Sequence, residues 1–388
     1  MKLHQKAVMP SGFTCAARNC GLKNEGKDLA LFYSEVEASA AGLFTRNKFP
    51  GAPVVLGREI IKKGVLRAIV VNSKISNVGT GRTGIINAQR MADAVGAEFN
   101  IPAGQVIMSS TGVIARQLQI EKIETGIQGI SRLLCDDPLE GTEGMMTTDT
   151  YPKALSMNVG SAILTLVGKG AGMIEPNMAT MLVYIFTDAA VESAVLDTTL
   201  RQAAAVSFNM LSVDTDTSTS DTCIAMANGL AGPVDPEQFR EALTFACTEM
   251  TKMLARDAEG ATKLLVADVR GAADKQQAIV IAKALINSPL VKTMAYGADP
   301  NIGRVLMAIG KCVQCDIEPG SINIRINGQL VYQDLERVDF NEEAVRKLLG
   351  GQQVLIEADL GMGPGCAIAY GCDLTEGYIE ENAAYYSS

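Results

Sequence analysis

The segment Lys169-Gly170-Ala171-Gly172-Met173-Ile174-Glu175-Pro176-Asn177-Met178-Ala179-Thr180-Met181-Leu182 restricts what this chain can become more than any other stretch. A glycine-rich approach, a proline and a small residue lead directly to Thr180, and the apolar run Leu182-Val183-Tyr184-Ile185-Phe186 follows as a strand. Such a segment holds a threonine within reach at the end of a rigid sheet. A threonine hydroxyl is a weak nucleophile unless a base sits beside it. The chain has one histidine, His4, near its N-terminus, so a histidine-based triad lacks its base. The remaining solution is a threonine whose own α-amine acts as the base once the preceding peptide bond is cut. Ala179-Thr180 therefore reads as a self-cleavage site.

At 388 residues the chain is longer than one core normally supports, which predicts a large domain and a smaller one. A net charge of −9 argues against nucleic acid and anionic membrane as partners. Nine scattered cysteines, an odd number, fit a reducing compartment. The start Met1-Lys2-Leu3-His4-Gln5-Lys6 lacks the apolar run of a signal peptide, and no run approaches a membrane span. The expectation is a soluble cytoplasmic protein.

Strands and helices alternate. Leu66–Val71 reads as a buried strand, and residues 162–167 and 182–186 as strands flanking the glycine-rich turn. Helical spacing runs over 85–97, 120–134, 191–205 and 236–255, the last capped by Asp235 with Pro236 at its first position. The hydroxyl-rich tract Asp214–Thr222 reads either as a solvated loop or as part of a site. A helix ends at Ile286, and Asn287-Ser288-Pro289 marks a break. The predicted domains are residues 1–286 and 287–388. Asn327-Gly328 predicts a hairpin turn.

Several motifs have two readings. Gly79-Thr80-Gly81-Arg82-Thr83-Gly84, with Glu98, has the composition of a dinucleotide site, but its first glycine follows the strand too late. Cys312-Val313-Gln314-Cys315 has zinc or redox spacing, yet no second pair completes a metal site, and two free thiols are expected. No metal is expected. Ser109-Ser110-Thr111-Gly112-Val113-Ile114 follows an apolar strand. It makes either a simple turn or a place where backbone N–H groups converge on an oxyanion. Lys169 and Glu259 are either solvent-facing charges or the groups that hold the two ends of an amino-acid substrate.

Many of these pieces occur in order in one family. The chain resembles bacterial ornithine acetyltransferase, the bifunctional glutamate N-acetyltransferase of arginine biosynthesis. The likeness rests on Ala41-Gly42-Leu43-Phe44-Thr45, Ser110–Ile114, Met146–Lys153, Lys169–Leu182, Asp214–Thr222, Glu259–Lys263, Ser288–Thr293, Gly297–Asn301 and Tyr370–Thr375. It implies an α/β fold: an aminopeptidase-like α/β sandwich with a smaller C-terminal α/β domain. It implies cleavage into an α chain (1–179) and a β chain (180–388), assembled as α2β2 or larger. The resemblance makes Thr180 the nucleophile that carries acetyl from N2-acetylornithine to glutamate. Thr111 and Gly112 match the oxyanion pair, while Thr147, Lys169, Thr180, Glu259, Asn382 and Ser387 match substrate-binding positions. No cofactor is implied, and acetyl-CoA is a candidate second donor. The alternative in the same fold is an acyltransferase or amidohydrolase acting on another amino-acid derivative. The alternative from another class is a dinucleotide-binding protein built on Gly79–Gly84.

The sequence departs from the family at Asn72-Ser73-Lys74-Ile75-Ser76-Asn77-Val78-Gly79-Thr80-Gly81. Lys74 and Ile75 stand where relatives carry Gly-Asn, and Gly79 replaces a cysteine. If this loop borders the site, the exchange alters donor or acceptor choice.

Overall fold

The computed structural model describes residues 1–175 and 181–383. The chain divides into two compact units. The first gathers Met1–Gly170, residues 181–209 and Thr217–Met250; the second gathers Ala171–Glu175, Met210–Asp216 and residues 251–383.

The first unit is built on an eight-stranded sheet. Its strands are β1 (Phe13–Arg18), β2 (Leu29–Phe44), β3 (Val65–Asn72), β4 (Val106–Ser110), β5 (Lys153–Val159), β6 (Ala162–Lys169), β7 (Leu182–Ala190) and β8 (Thr222–Pro233). They run in the order β4-β3-β2-β8-β7-β6-β5, with β1 paired to β2. The β-branched run of β3 is continuous because both its faces are buried. Ala68 and Val70 enter one apolar cluster, and Ile69 and Val71 enter the other. The helices of this unit are α1 (Ala52–Ile60), α2 (Gly81–Phe99), α3 (Ile120–Ile127), α4 (Pro138–Met145) and α5 (Ser193–Val206). The helix expected over 120–134 is broken by Gly129 at φ 72, after which a 3-10 turn covers Ile130–Leu133. Helix α6 (Pro236–Arg256) begins as expected, with Asp235 accepting from the Gln238 N–H at 2.8 Å.

The second unit carries a six-stranded sheet in the order β12-β11-β10-β13-β9-β14. Its strands are β9 (Leu264–Ala272), β10 (Asn323–Ile326), β11 (Gln329–Gln333), β12 (Glu336–Arg337), β13 (Gln353–Asp359) and β14 (Gly365–Cys372). Helices α7 (Lys275–Ile286), α8 (Pro289–Tyr296), α9 (Ile302–Gly310), α10 (Glu342–Leu349) and α11 (Glu376–Ala383) complete it. The β10–β11 hairpin turns at Asn327 (φ 46) and Gly328 (φ 82), the two left-handed positions of a type I′ turn. The division expected after residue 286 is not the one found. Strand β9 pairs in parallel with β13 and antiparallel with β14, so residues 264–286 belong with the C-terminal sheet. Among the described residues no single helix is long and apolar enough to cross a membrane.

Candidate functional site

Lys169 is the last residue of β6, an internal strand, and is buried at 8% exposure. Its Nζ donates to Thr147 Oγ1 at 2.9 Å and to Thr111 Oγ1 at 3.1 Å. Three residues that lie far apart in sequence thus meet at one ammonium group. Thr147 follows α4, whose N-cap Asp137 accepts from the Leu139 N–H. Asp149 anchors what comes next. Its Oδ2 accepts from the Thr147 N–H at 3.1 Å, and its Oδ1 from the Gly170 N–H at 2.8 Å and Lys153 Nζ at 2.7 Å. Burial pushes the Asp149 carboxyl up, but the Lys169 and Lys153 charges and the bonds from Lys153 and Gly170 outweigh it and hold it down to about 2.

Gly112 adjoins this group. Its φ of +123 lies in the region that disfavours side chains, and a Cβ there would overlap the Lys74 C and O atoms. Around it the backbone donors are mostly committed. The Thr111 N–H goes to Asn72 O at 3.0 Å, and the Val113 N–H to Lys74 O at 2.9 Å. The Gly112 N–H is given to no acceptor among the described residues. Of the two backbone donors expected here, the Thr111 N–H is spent on Asn72, which leaves the Gly112 N–H and the Thr111 hydroxyl. Because Thr111 Oγ1 accepts from Lys169, its own hydrogen is left to donate elsewhere. Residues 72–77 pack on Gly112 through these bonds and the Ile75–Val113 bridge, so the loop that departs from the family does border the Thr111–Gly112 turn.

In the second unit, Glu259 and Asn382 come together, Asn382 Nδ2 donating to Glu259 Oε2 at 2.8 Å. Glu259 is 9% exposed, and its backbone N–H donates to Ala171 O at 2.9 Å. A Cβ on Gly172 would overlap the Glu259 carboxylate, so that glycine is what gives the side chain its place. Asp214 accepts from the Met173 and Ile174 N–H groups, both at 2.7 Å, and lies 3.3 Å from the Tyr378 hydroxyl. Burial, with Asp214 beside it, pushes the Tyr378 phenol up. Ala179, Thr180 and Ser387 lie outside the described residues.

Other motifs resolve into structure. Gly81 and Gly84 fall inside α2 rather than in a loop before it, and Glu98 accepts from the Gly129 and Ser131 N–H groups, which ties down the 3-10 turn. Cys312 and Cys315 are free thiols, as expected. Among the described residues no group of three or more His, Cys, Asp or Glu side chains could hold a metal ion. Sequence reasoning missed Lys23 and Asp221. Lys23 Nζ donates to Met146 O at 2.8 Å and Lys27 O at 3.0 Å, which fixes the residue before Thr147. Asp221, at 2% exposure, has one carboxyl oxygen without a hydrogen-bond partner, and burial pushes it well above the usual carboxylate range. Neither has a local sequence signal, because the Lys23 bond to Met146 crosses 123 residues and the burial of Asp221 is set by the fold.

The ArgJ family profile matches residues 14–387. The chain is 43% identical over 380 residues to arginine biosynthesis bifunctional protein ArgJ 2 of Clostridium acetobutylicum, covering 97% of this chain and 98% of that protein. It is 41% identical over 383 residues to glutamate N-acetyltransferase Oat2 of Streptomyces clavuligerus, again covering 97% and 98%. Among solved structures it resembles the arginine biosynthesis bifunctional protein argJ of Bacillus halodurans, at 40% identity and a TM-score of 0.50. That match covers 52% of this chain and 98% of the other.

Proposed function

The chain belongs to the ArgJ family, and on that footing we propose that it moves acetyl from N2-acetylornithine to glutamate through an acyl-enzyme on Thr180. The observation that carries this reading is the meeting of Lys169, Thr111 and Thr147 beside the uncommitted Gly112 N–H. Acyl transfer needs a place for a carbonyl oxygen to become an oxyanion. One backbone N–H and one hydroxyl supply it, each donor of this kind contributing roughly 10²–10³ in rate. Self-cleavage between Ala179 and Thr180 frees the α-amine that takes the hydroxyl proton as the hydroxyl attacks the acetyl carbonyl. The departing amine of ornithine then receives that proton. The glutamate amine attacks the ester in the second half and restores the threonine. Lys169 holds a substrate carboxylate, and Glu259 with Asn382 holds the side-chain ammonium of ornithine. Acetyl-CoA as a second donor, an α2β2 assembly and a cytoplasmic location belong to the same reading. The Bacillus halodurans chain supports cleavage: 98% of its length corresponds to 52% of this chain, the proportion that a cut near the middle yields.

The test is direct. Denaturing electrophoresis of purified protein should give two fragments divided at 179/180, and Thr180→Ala should stay whole and inactive. Mass spectrometry under turnover should place the acetyl group on Thr180. An adduct on another side chain, or full activity in unsplit polypeptide, would refute the mechanism.

A further inference from the structure

Residues 171–175, the described end of the segment before the proposed cut, are held within the second unit by contacts that acetyl transfer leaves without a role. The strap Met210–Asp216 lies along β14: Leu211 bridges to Tyr370, and the Ser212 N–H donates to Tyr370 O at 2.9 Å. Residues 173–175 are fastened to that strap in turn. Asp214 takes the Met173 and Ile174 N–H groups, the Val213 N–H donates to Ile174 O at 2.7 Å, and the Glu175 N–H donates to Asp216 O at 3.1 Å. Met173 is left-handed at φ 53, a conformation that a residue with a side chain adopts at a cost and that these bonds sustain. The Glu175 side chain completes the grip. Its Oε2 accepts from Ser212 Oγ and from Asn287 Nδ2, both at 2.9 Å, and its Oε1 lies 3.4 Å from Lys283 Nζ. Lys283 lies in the last turn of α7, and Asn287 caps that helix. Ser212 is fully buried, whereas the ion pair is part-exposed and adds little.

Self-cleavage makes a geometric demand on the chain ahead of the bond. The Thr180 hydroxyl adds to the Ala179 carbonyl carbon, and the C–N bond breaks as the amine takes the hydroxyl proton. Water then splits the resulting ester into the Ala179 carboxylate and a free threonine. Addition needs that carbonyl in a near-attack arrangement, and each unfixed residue before it adds conformations that must be lost. Four residues separate Glu175 from Thr180, so backbone held through Glu175 is held close to the bond. We propose that Glu175, gripped by Ser212 and Asn287, is a positioning residue for self-cleavage, fixing the chain ahead of the Ala179–Thr180 bond and touching no substrate of acetyl transfer. This deepens the cleavage reading and rests on it. The role ends when the bond is cut, so maturation and turnover respond to it differently.

The experiment follows the full chain from cell-free synthesis and reads the half-life of the uncut precursor on denaturing gels. The wild type is compared with Glu175→Ala, with Asn287→Asp, and with Asn287→Asp combined with Glu175→Gln. Glu175→Ala removes both bonds, and Asn287→Asp sets a second carboxylate against the first. Each should lengthen the half-life about tenfold or more, the scale of a lost hydrogen bond to a charged group. The combined variant exchanges donor and acceptor and should return the half-life to within about threefold of the wild type. Once fully split, Asn287→Asp should show kcat and KM within about twofold of the wild type. In the Thr180→Ala background, which cannot cut itself, the precursor carrying Glu175→Ala should still unfold cooperatively. An unchanged half-life in Glu175→Ala overturns the proposal, as does a combined variant that does not recover. An equal loss of turnover in the split enzyme, or a Glu175→Ala precursor that does not fold, would make general structure the cause and overturn it as well. A wild type that stays whole would instead sink the cleavage reading itself, and this proposal with it.

Discussion

Asp149 shows how one buried carboxylate orders two distant stretches of backbone at once. It orients the Thr147 and Gly170 backbones and neutralises Lys153, with both members of the pair fully buried. Its folded pKa of about 2 lies below the unfolded value of about 3.9, so its contribution is complete above pH ~4 and disappears as pH falls towards 2. That contribution is on the order of 2 kcal/mol. Denaturant titrations from pH 6 to pH 2 should show this acid limb in the wild type. In Asp149→Asn it should be absent, with stability at pH 6 lower by roughly 3–5 kcal/mol, because Lys153 loses its buried partner. Equal acid limbs in the two proteins would exclude Asp149 as the source. The sequence made Lys169, Thr147 and Thr111 legible as a set through family resemblance. It could not say that the Thr111 N–H is already spent on Asn72 and that its hydroxyl is the group left over.

At the scale of elements, α4 connects packing to the site, because its C-terminal end leads into Thr147. Gly141 and Gly144 let it lie close on the sheet: a Cβ on Gly144 would come within 2.7 Å of Leu29 O and 2.9 Å of the Ala17 and Ala30 Cβ atoms. None of these atoms is a flexible side-chain end. Gly144→Ala should therefore push the helix outward, cost on the order of 1–3 kcal/mol in thermal or denaturant unfolding, and raise KM by moving Thr147. A variant of wild-type stability and KM would show that α4 has slack. Most elements were readable from periodicity, since β3 is apolar on both faces and α6 carries its own cap. The domain division was not, because β9 takes its sheet from β13 and β14, strands that follow it by some ninety residues or more. A pattern in one segment does not name a partner that distant. The glycine fingerprint could be set aside on its late spacing from the strand alone, and Gly81 and Gly84 fall inside the first turn of α2.

At the scale of the whole molecule, the proposed cut separates β1–β6 from β7 and β8, which occupy the middle of the first sheet between β2 and β6. Both borders are full ladders, β2 with β8 antiparallel and β6 with β7 antiparallel. The processed pieces should elute together in gel filtration and resist separation by salt, and part only in denaturant. Dissociation in native buffer would contradict the interleaved order. The same weave bears on inheritance. When tagged and untagged precursors mature in one cell, each α piece should keep the β piece it was translated with. A defective allele would then spoil only its own molecules, with no hybrids in which a sound half rescues a damaged one.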